Sequence, residues 1–329
     1  MDCYEERLTF AAVGVAAALL LTGCGSGSPS GSTSSAPAAG SDGMRNISIG
    51  VISIAPSAAV KLGIDEGVFA KHKLNVELQS GQGGAAMLPA VSTGTMNFAV
   101  GNPLSVLLAK NKGLDMRIVS GYSNSLATGN DINGVVAKAD SGIASAKDLA
   151  GKKVAVNTIN AQGDLTIKEV VSKQGGDPNA VKFLELPFQD MGAQLAQGNV
   201  DAVWVPEPFL SKLLGEGNKL VTYNNQEALP GLPTMVTFTS GSYAQQNPQV
   251  VADFKAAMTE TLALAQSNPD KVRALLPAFM TMPEAVASKL RLEEFDGKLN
   301  EPILVKLGEL MATYGIVPST PDVSGTILK

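Results

Sequence analysis

Cysteine is used twice, histidine once and tryptophan once in these 329 residues. Both cysteines, Cys3 and Cys24, lie in the first 24 residues, so the chain beyond them has neither a thiol nor a disulfide. Thiol nucleophiles, thiolate metal sites and disulfide exchange are therefore excluded from it. A zinc site needs three or four nitrogen or sulfur donors, and His72 supplies one. A Ser-His-Asp triad would have to use the same residue. It sits in the polar run Lys71-His72-Lys73, where a solvated histidine closing a helix is the plainer reading. The chemistry left to an enzyme would rest on carboxylates, lysine or tyrosine. Basic residues number 25 against 30 acidic ones. Without residues 1–23 these fall to 24 and 27, a net charge of −3. Mild acidity argues against a nucleic-acid partner, which wants a basic face, and no lysine-rich run forms a polybasic membrane patch. Long hydrophobic runs are also missing. Residues 8–21 are mostly apolar, but a transmembrane helix needs roughly 20 residues.

That short run has the length of a signal-peptide core, and small residues follow it. Leu21-Thr22-Gly23-Cys24 resembles the lipobox of bacterial lipoproteins. The resemblance implies cleavage before Cys24 and a lipid on its sulfur. Asp2, Glu5 and Glu6 against Arg7 depart from the positive start usual in export signals. Residues 25–43 are almost wholly Gly, Ser, Ala, Pro and Thr. They cannot bury enough surface to offset their ordering entropy, which is the composition of a flexible tether.

From residue 44 the chain is long enough for two domains with real cores. Strand and helix patterns alternate: strands near 46–53, 74–78, 97–100 and 116–121, helices near 57–69, 83–93 and 103–112. A turn-rich break follows at 126–134. A second series has strands near 135–138, 153–156, 181–186 and 202–205, and helices near 162–173, 191–197 and 208–214. After another break at 229–233 come a strand at 235–239 and a long helix. Val250, Phe254, Met258, Thr261 and Ala265 form one apolar stripe on that helix. Alternation predicts α/β architecture with mostly parallel sheets flanked by helices. Two series joined by two breaks predict two lobes, 44–130 with 234–329 and 131–233, with a hinge and a cleft between them. Ligands in such sheets bind beyond the carboxyl ends of the strands.

Specific residues then carry a resemblance. Asp65-Glu66-Gly67-Val68-Phe69 with Leu74-Asn75-Val76-Glu77-Leu78, the stretch 90–99 (AVSTGTMNFA), and Ser141-Gly142-Ile143 with 147–156 (KDLAGKKVAV) occur in that order. They are followed by 195–202 (LAQGNVDA) and 204–209 (WVPEPF). This series resembles the sulfonate/nitrate/taurine and thiamine-precursor solute-binding proteins of ABC importers. The resemblance implies a type 2 periplasmic-binding fold and a non-enzymatic role: capture of a small organic solute and delivery to a permease with its ATPase. It also implies an extracytoplasmic, lipid-anchored location. A monomer without cofactor or bound metal is expected. Asn75 and Asn97 stand where that family often has Asp. Gly94 and Gly198 read as helix C-caps that carry the fold.

Candidate ligand contacts are the residues just past strand ends. Gly83 and Gly84 open a helix, and their N–H groups could meet an anion or polar group, or form a plain turn. Ser57 and Asn102 are ligand contacts or helix caps. Asn157, Thr158, Gln189 and Asp190 follow strands in the second series. Glu207 either meets the solute or favours the start of the next helix by its charge. Trp204 is core or a stacking platform. The four arginines beyond Cys24, at 45, 117, 273 and 291, fall at no predicted cleft turn. Bidentate clamps on an oxyanion are thus not evident, and the visible groups suit a neutral or amine-bearing solute better. Two alternatives stand beside this reading. One is an enzyme on the same fold, like the thiamine-precursor synthases, which depend on histidine and cysteine groups absent here. The other is a sensor lipoprotein without transport.

Overall fold

Eleven strands form two mixed sheets in the computed structural model, which describes residues 43–329. The signal-like run, the lipobox with Cys24 and nearly all of the tether lie outside the described residues. The strands are β1 (Arg45–Ile52), β2 (Leu74–Gly81), β3 (Phe98–Gly101), β4 (Met116–Asn124), β5 (Asn133–Ala137), β6 (Lys153–Val156), β7 (Lys182–Glu185), β8 (Ala202–Pro206), β9 (Lys219–Thr222), β10 (Pro233–Ser240) and β11 (Glu294–Phe295). The first sheet has the order β11-β4-β10-β3-β1-β2 and the second β7-β6-β8-β5-β9.

The sheets are less parallel than the alternation predicts. β1 runs parallel to β2 and β3, but β10 is antiparallel to both β3 and β4, and β11 is antiparallel to β4. In the second sheet β6 is parallel to β7 and β8, whereas β5 is antiparallel to β8 and β9. The reason is the path of the chain. It leaves the first sheet after β4, enters the second at β5, and comes back through β10, so both crossing strands run against their neighbours. The two crossings touch each other. The Ser125 amide donates to the Leu232 carbonyl at 2.8 Å, and Gln226 Nε2 donates to the Leu126 carbonyl at 2.9 Å. Asp131 organises the first crossing by accepting from Ser125 Oγ at 2.6 Å and from the Leu126 amide at 3.0 Å.

The helices follow the apolar pattern with one break. Residues 57–69 read as a single helix, but Gly67 adopts a left-handed conformation (φ 70°) and divides it into Ala58–Asp65 and Val68–Lys71. Glycine reaches this region at no steric cost. The stripe on the long helix Pro248–Ser267 is buried as predicted. Phe254 stacks on Phe98 of β3 with centroids 3.8 Å apart. Thr261 of that helix meets Gly63 so closely that a Cβ there would lie 2.2 Å from Thr261 Oγ1. Gly94 and Gly198 cap their helices with φ of 78° and 76°. His72 closes a helix and lies 3.2 Å from Glu260. Among the described residues no helix is long and apolar enough to cross a membrane.

Candidate functional site

The carboxyl ends of β1, β3, β6 and β8 converge with β5, the start of β10 and the segment before β11 on a cavity of about 50 Å³. Each wall has a local cause. Beyond β1, the Tyr122 hydroxyl of β4 donates to the Pro56 carbonyl at 2.7 Å and fixes the turn that carries Ile54 into the cavity. Beyond β3, Asn102 caps the helix Pro103–Asn111 by accepting from the Ser105 amide at 2.8 Å. Its carboxamide NH2 is left for the cavity it lines. Beyond β6, Asn160 is left-handed (φ 56°). The loop there is held by Asp164, which accepts from the Asn160 amide at 2.9 Å and the Ala161 amide at 2.8 Å. Burial pushes the Asp164 carboxyl above its usual range, against those hydrogen bonds. The loop sets Asn157 at one side of the cavity and Gln162, first residue of the helix Gln162–Lys173, at another.

Trp204 of β8 forms an aromatic wall. Its indole lies against Gly163, where a Cβ would be 2.5 Å from the ring, and against Phe188 at a centroid distance of 5.8 Å. Glu293, which is 5% exposed, lines the same cavity. Its Oε1 accepts from Asn133 Nδ2 of β5 at 3.2 Å. Burial, reinforced by the charge of Asp131, pushes the Glu293 carboxyl up to about 7 despite the hydrogen bonds that oppose the shift. Three buried polar atoms on this lining have no hydrogen-bond partner: Glu293 Oε2, Gln162 Oε1 and Trp204 Nε1. Buried polar groups are nearly always satisfied, so a cluster of three on one cavity marks a place where a polar ligand can bind. Among the described residues no lysine or arginine lines it.

The sites proposed from sequence divide. Asn102 and Asn157 line the cavity. Gly83 lies beside its mouth, close enough that a Cβ would sit 3.0 Å from Asn157 Nδ2 and 3.3 Å from Thr158 Oγ1. Gly84 packs on Gly101, where a Cβ would be 2.5 Å from the Gly84 Cα, so its role is close backbone approach. Ser57 is fully buried, with an unpartnered hydroxyl, and does not line the cavity. Gln189 and Asp190 are exposed, because Phe188 at the head of their helix turns inward and sends the next two positions outward. Glu207 is held by other side chains. Both its oxygens are occupied: Arg291 donates to Oε1 from Nη2 at 3.0 Å and Nε at 3.2 Å, Ser211 Oγ donates to the same atom at 2.7 Å, and the Ser211 amide donates to Oε2 at 2.9 Å. Glu207 follows a second-sheet strand, and Arg291 precedes a strand of the first sheet. Their pair, the Asn133–Glu293 bond, and the Ala55 amide on the Glu207 carbonyl at 3.3 Å all join the two halves.

A family model described as NMT1/THI5 like matches residues 57–272. The chain belongs to this NMT1/THI5-like family. Among curated proteins it is 25% identical, over 74% of its length, to the nitrate/nitrite binding protein NrtA of Synechococcus elongatus, of which it spans 62%. It is 26% identical, over 78% of its length and 74% of the relative's, to a Bacillus subtilis protein assigned by its name to aliphatic sulfonates. Among solved structures, the alkanesulfonate-binding protein SsuA from Xanthomonas axonopodis pv. citri bound to MOPS superposes with a TM-score of 0.73 at 18% identity, covering 86% of this chain and 98% of that one. The NMT1/THI5-like chain thus has the two-lobed periplasmic binding protein fold, one mixed sheet per lobe. Glu293, Asn133, Gln162 and Arg291 were not singled out by sequence reasoning. Only Gln162 carried a usable signal, as the first residue of a helix that follows a strand and loop.

Proposed function

We propose that this chain is the extracytoplasmic solute-binding component of an ABC importer. It captures a small organic solute in the cavity between the lobes and delivers it to a permease driven by an ATPase. The observation that carries the reading is the set of three unpartnered buried polar atoms on one cavity at the strand ends of two sheets. The family and the binding-protein names of its relatives support it, and they favour binding over catalysis.

In this reading the lobes are 44–130 with 234–329 and 131–233, and the two crossings are the hinge. Ligand contacts to both lobes favour the closed state, because only that state makes them all. The protein acts as a monomer, anchored by a lipid on Cys24 with the residues up to 43 as tether. Small-angle scattering of the protein with and without solute tests the hinge. The radius of gyration should fall at saturation, and an unchanged radius would remove closure from the account.

A further inference from the structure

We propose that the cavity is built for a compact solute without negative charge that donates N–H groups, of amidine, urea or amide type, rather than for an oxyanion. The inference rests on the solute-binding reading and concerns which solute that site takes.

The argument is one of charge and hydrogen-bond polarity. Glu293 and Gln162 are buried, at 5% and 2% exposure, and each offers an unpartnered acceptor oxygen to the cavity. The Ser123 and Thr234 hydroxyls approach the Glu293 carboxyl without completing a bond to Oε2, and an N–H, above all one on a cation, meets that oxygen best. Trp204 Nε1, on a residue 8% exposed, is a donor without an acceptor. The free NH2 of Asn102 has the same polarity, since its carboxamide oxygen is taken by the Ser105 amide. The solute that completes the set therefore donates on the Glu293 side and offers a lone pair on the Trp204 side. An N–C=O edge, as in a urea or an amide, does both, and an amidinium meets the Glu293 side alone.

An anion meets the opposite arrangement. The lining has no lysine or arginine. The Arg291 guanidinium is bound to Glu207 and Tyr223 and does not line the cavity. One further buried carboxyl, Asp131, adds its charge to that of Glu293. Like charge at close range costs more as solvent is excluded, so wherever Glu293 is ionised it acts as a rejecting element. The cavity of about 50 Å³ sets the size: a few water molecules or one small planar group.

Calorimetric titration of the full chain at pH 8, where Glu293 is ionised, with acetamidinium, methylurea, nitrate and methanesulfonate tests this. Acetamidinium and methylurea should bind at least tenfold more tightly than either anion. Glu293→Gln should weaken acetamidinium by roughly tenfold or more, the scale of one hydrogen bond to a charged group. Trp204→Phe keeps an aromatic ring and removes the N–H, so it should weaken methylurea severalfold. Tighter binding of either anion would overturn the inference while leaving the solute-binding reading intact, and so would an unchanged acetamidinium affinity in Glu293→Gln. If none of the four binds, the inference is also overturned. Mass spectrometry of whatever the cell-purified protein releases on unfolding then judges the wider reading: a released organic acid sustains it, and nothing released counts against it.

Discussion

Glu293→Gln should stabilise the empty protein, and by an amount set by pH. Burial pushes the Glu293 carboxyl up to about 7 in the folded chain, from an ordinary 4.5. Below pH 4.5 it is protonated in both states and contributes nothing. Between the two values the unfolded chain releases its proton while the folded one keeps it, so stability drains away as pH rises. Above 7 the deficit is complete. A gap of about 2.5 units at 1.36 kcal/mol each is about 3 kcal/mol. Glutamine keeps the shape and the acceptor for Asn133 but never ionises. The variant should therefore match the parent near pH 4.5 and exceed it by about 3 kcal/mol at pH 8. At roughly 2–4 °C per kcal/mol for a chain this size, that is a melting point raised by about 6–12 °C. Thermal unfolding of both proteins at pH 5 and pH 8, without ligand, measures it. An advantage independent of pH would mean that Glu293 does not titrate in the cavity, and a loss at pH 8 would mean that its charge is held by a partner.

Three further outcomes are expected. Arg291→Met leaves the fully buried Glu207 with only its Ser211 partners, and losing one member of a buried pair costs about 3–5 kcal/mol; with Arg291 partly exposed the lower end applies, and urea unfolding should show it. Gly63→Ala places a Cβ 2.2 Å from Thr261 Oγ1 and should cost about 1–3 kcal/mol by overpacking, with Thr261→Ala in the same chain restoring part of it on thermal melts. Cys24→Ser should abolish lipid attachment, so that the chain is released or left unprocessed; a fully processed variant that still partitions with membranes would contradict the lipobox reading.

How far the sequence carries the fold depends on the kind of signal. The buried stripe of the helix Pro248–Ser267 and the glycine caps at Gly94 and Gly198 are local, and they were legible. The direction of β10 and the two-residue β11 are not local. Both arise from a chain that leaves one sheet and returns to it later, and no periodicity records that. The site divides the same way. Asn102 and Asn157 follow strand ends and could be placed by rule. Asn133 lies inside a strand, and Glu293 sits beside Glu294 in a short polar stretch that reads as a solvated face. Only the docking of that stretch against β4 and β5 turns Glu293 inward. Glu207 shows the converse. Its place after a strand pointed to the solute, but Arg291, distant in sequence, holds its carboxylate.

Native mass spectrometry of the protein taken from cells that supply its solute tests the central claim most directly. The account predicts one small organic molecule per chain, released on unfolding, and lost when Asn157→Phe fills the side of the cavity that Asn157 lines. A bound molecule that survives Asn157→Phe with undiminished occupancy would contradict a site in this cavity, and a protein that carries none from any medium would contradict solute capture itself.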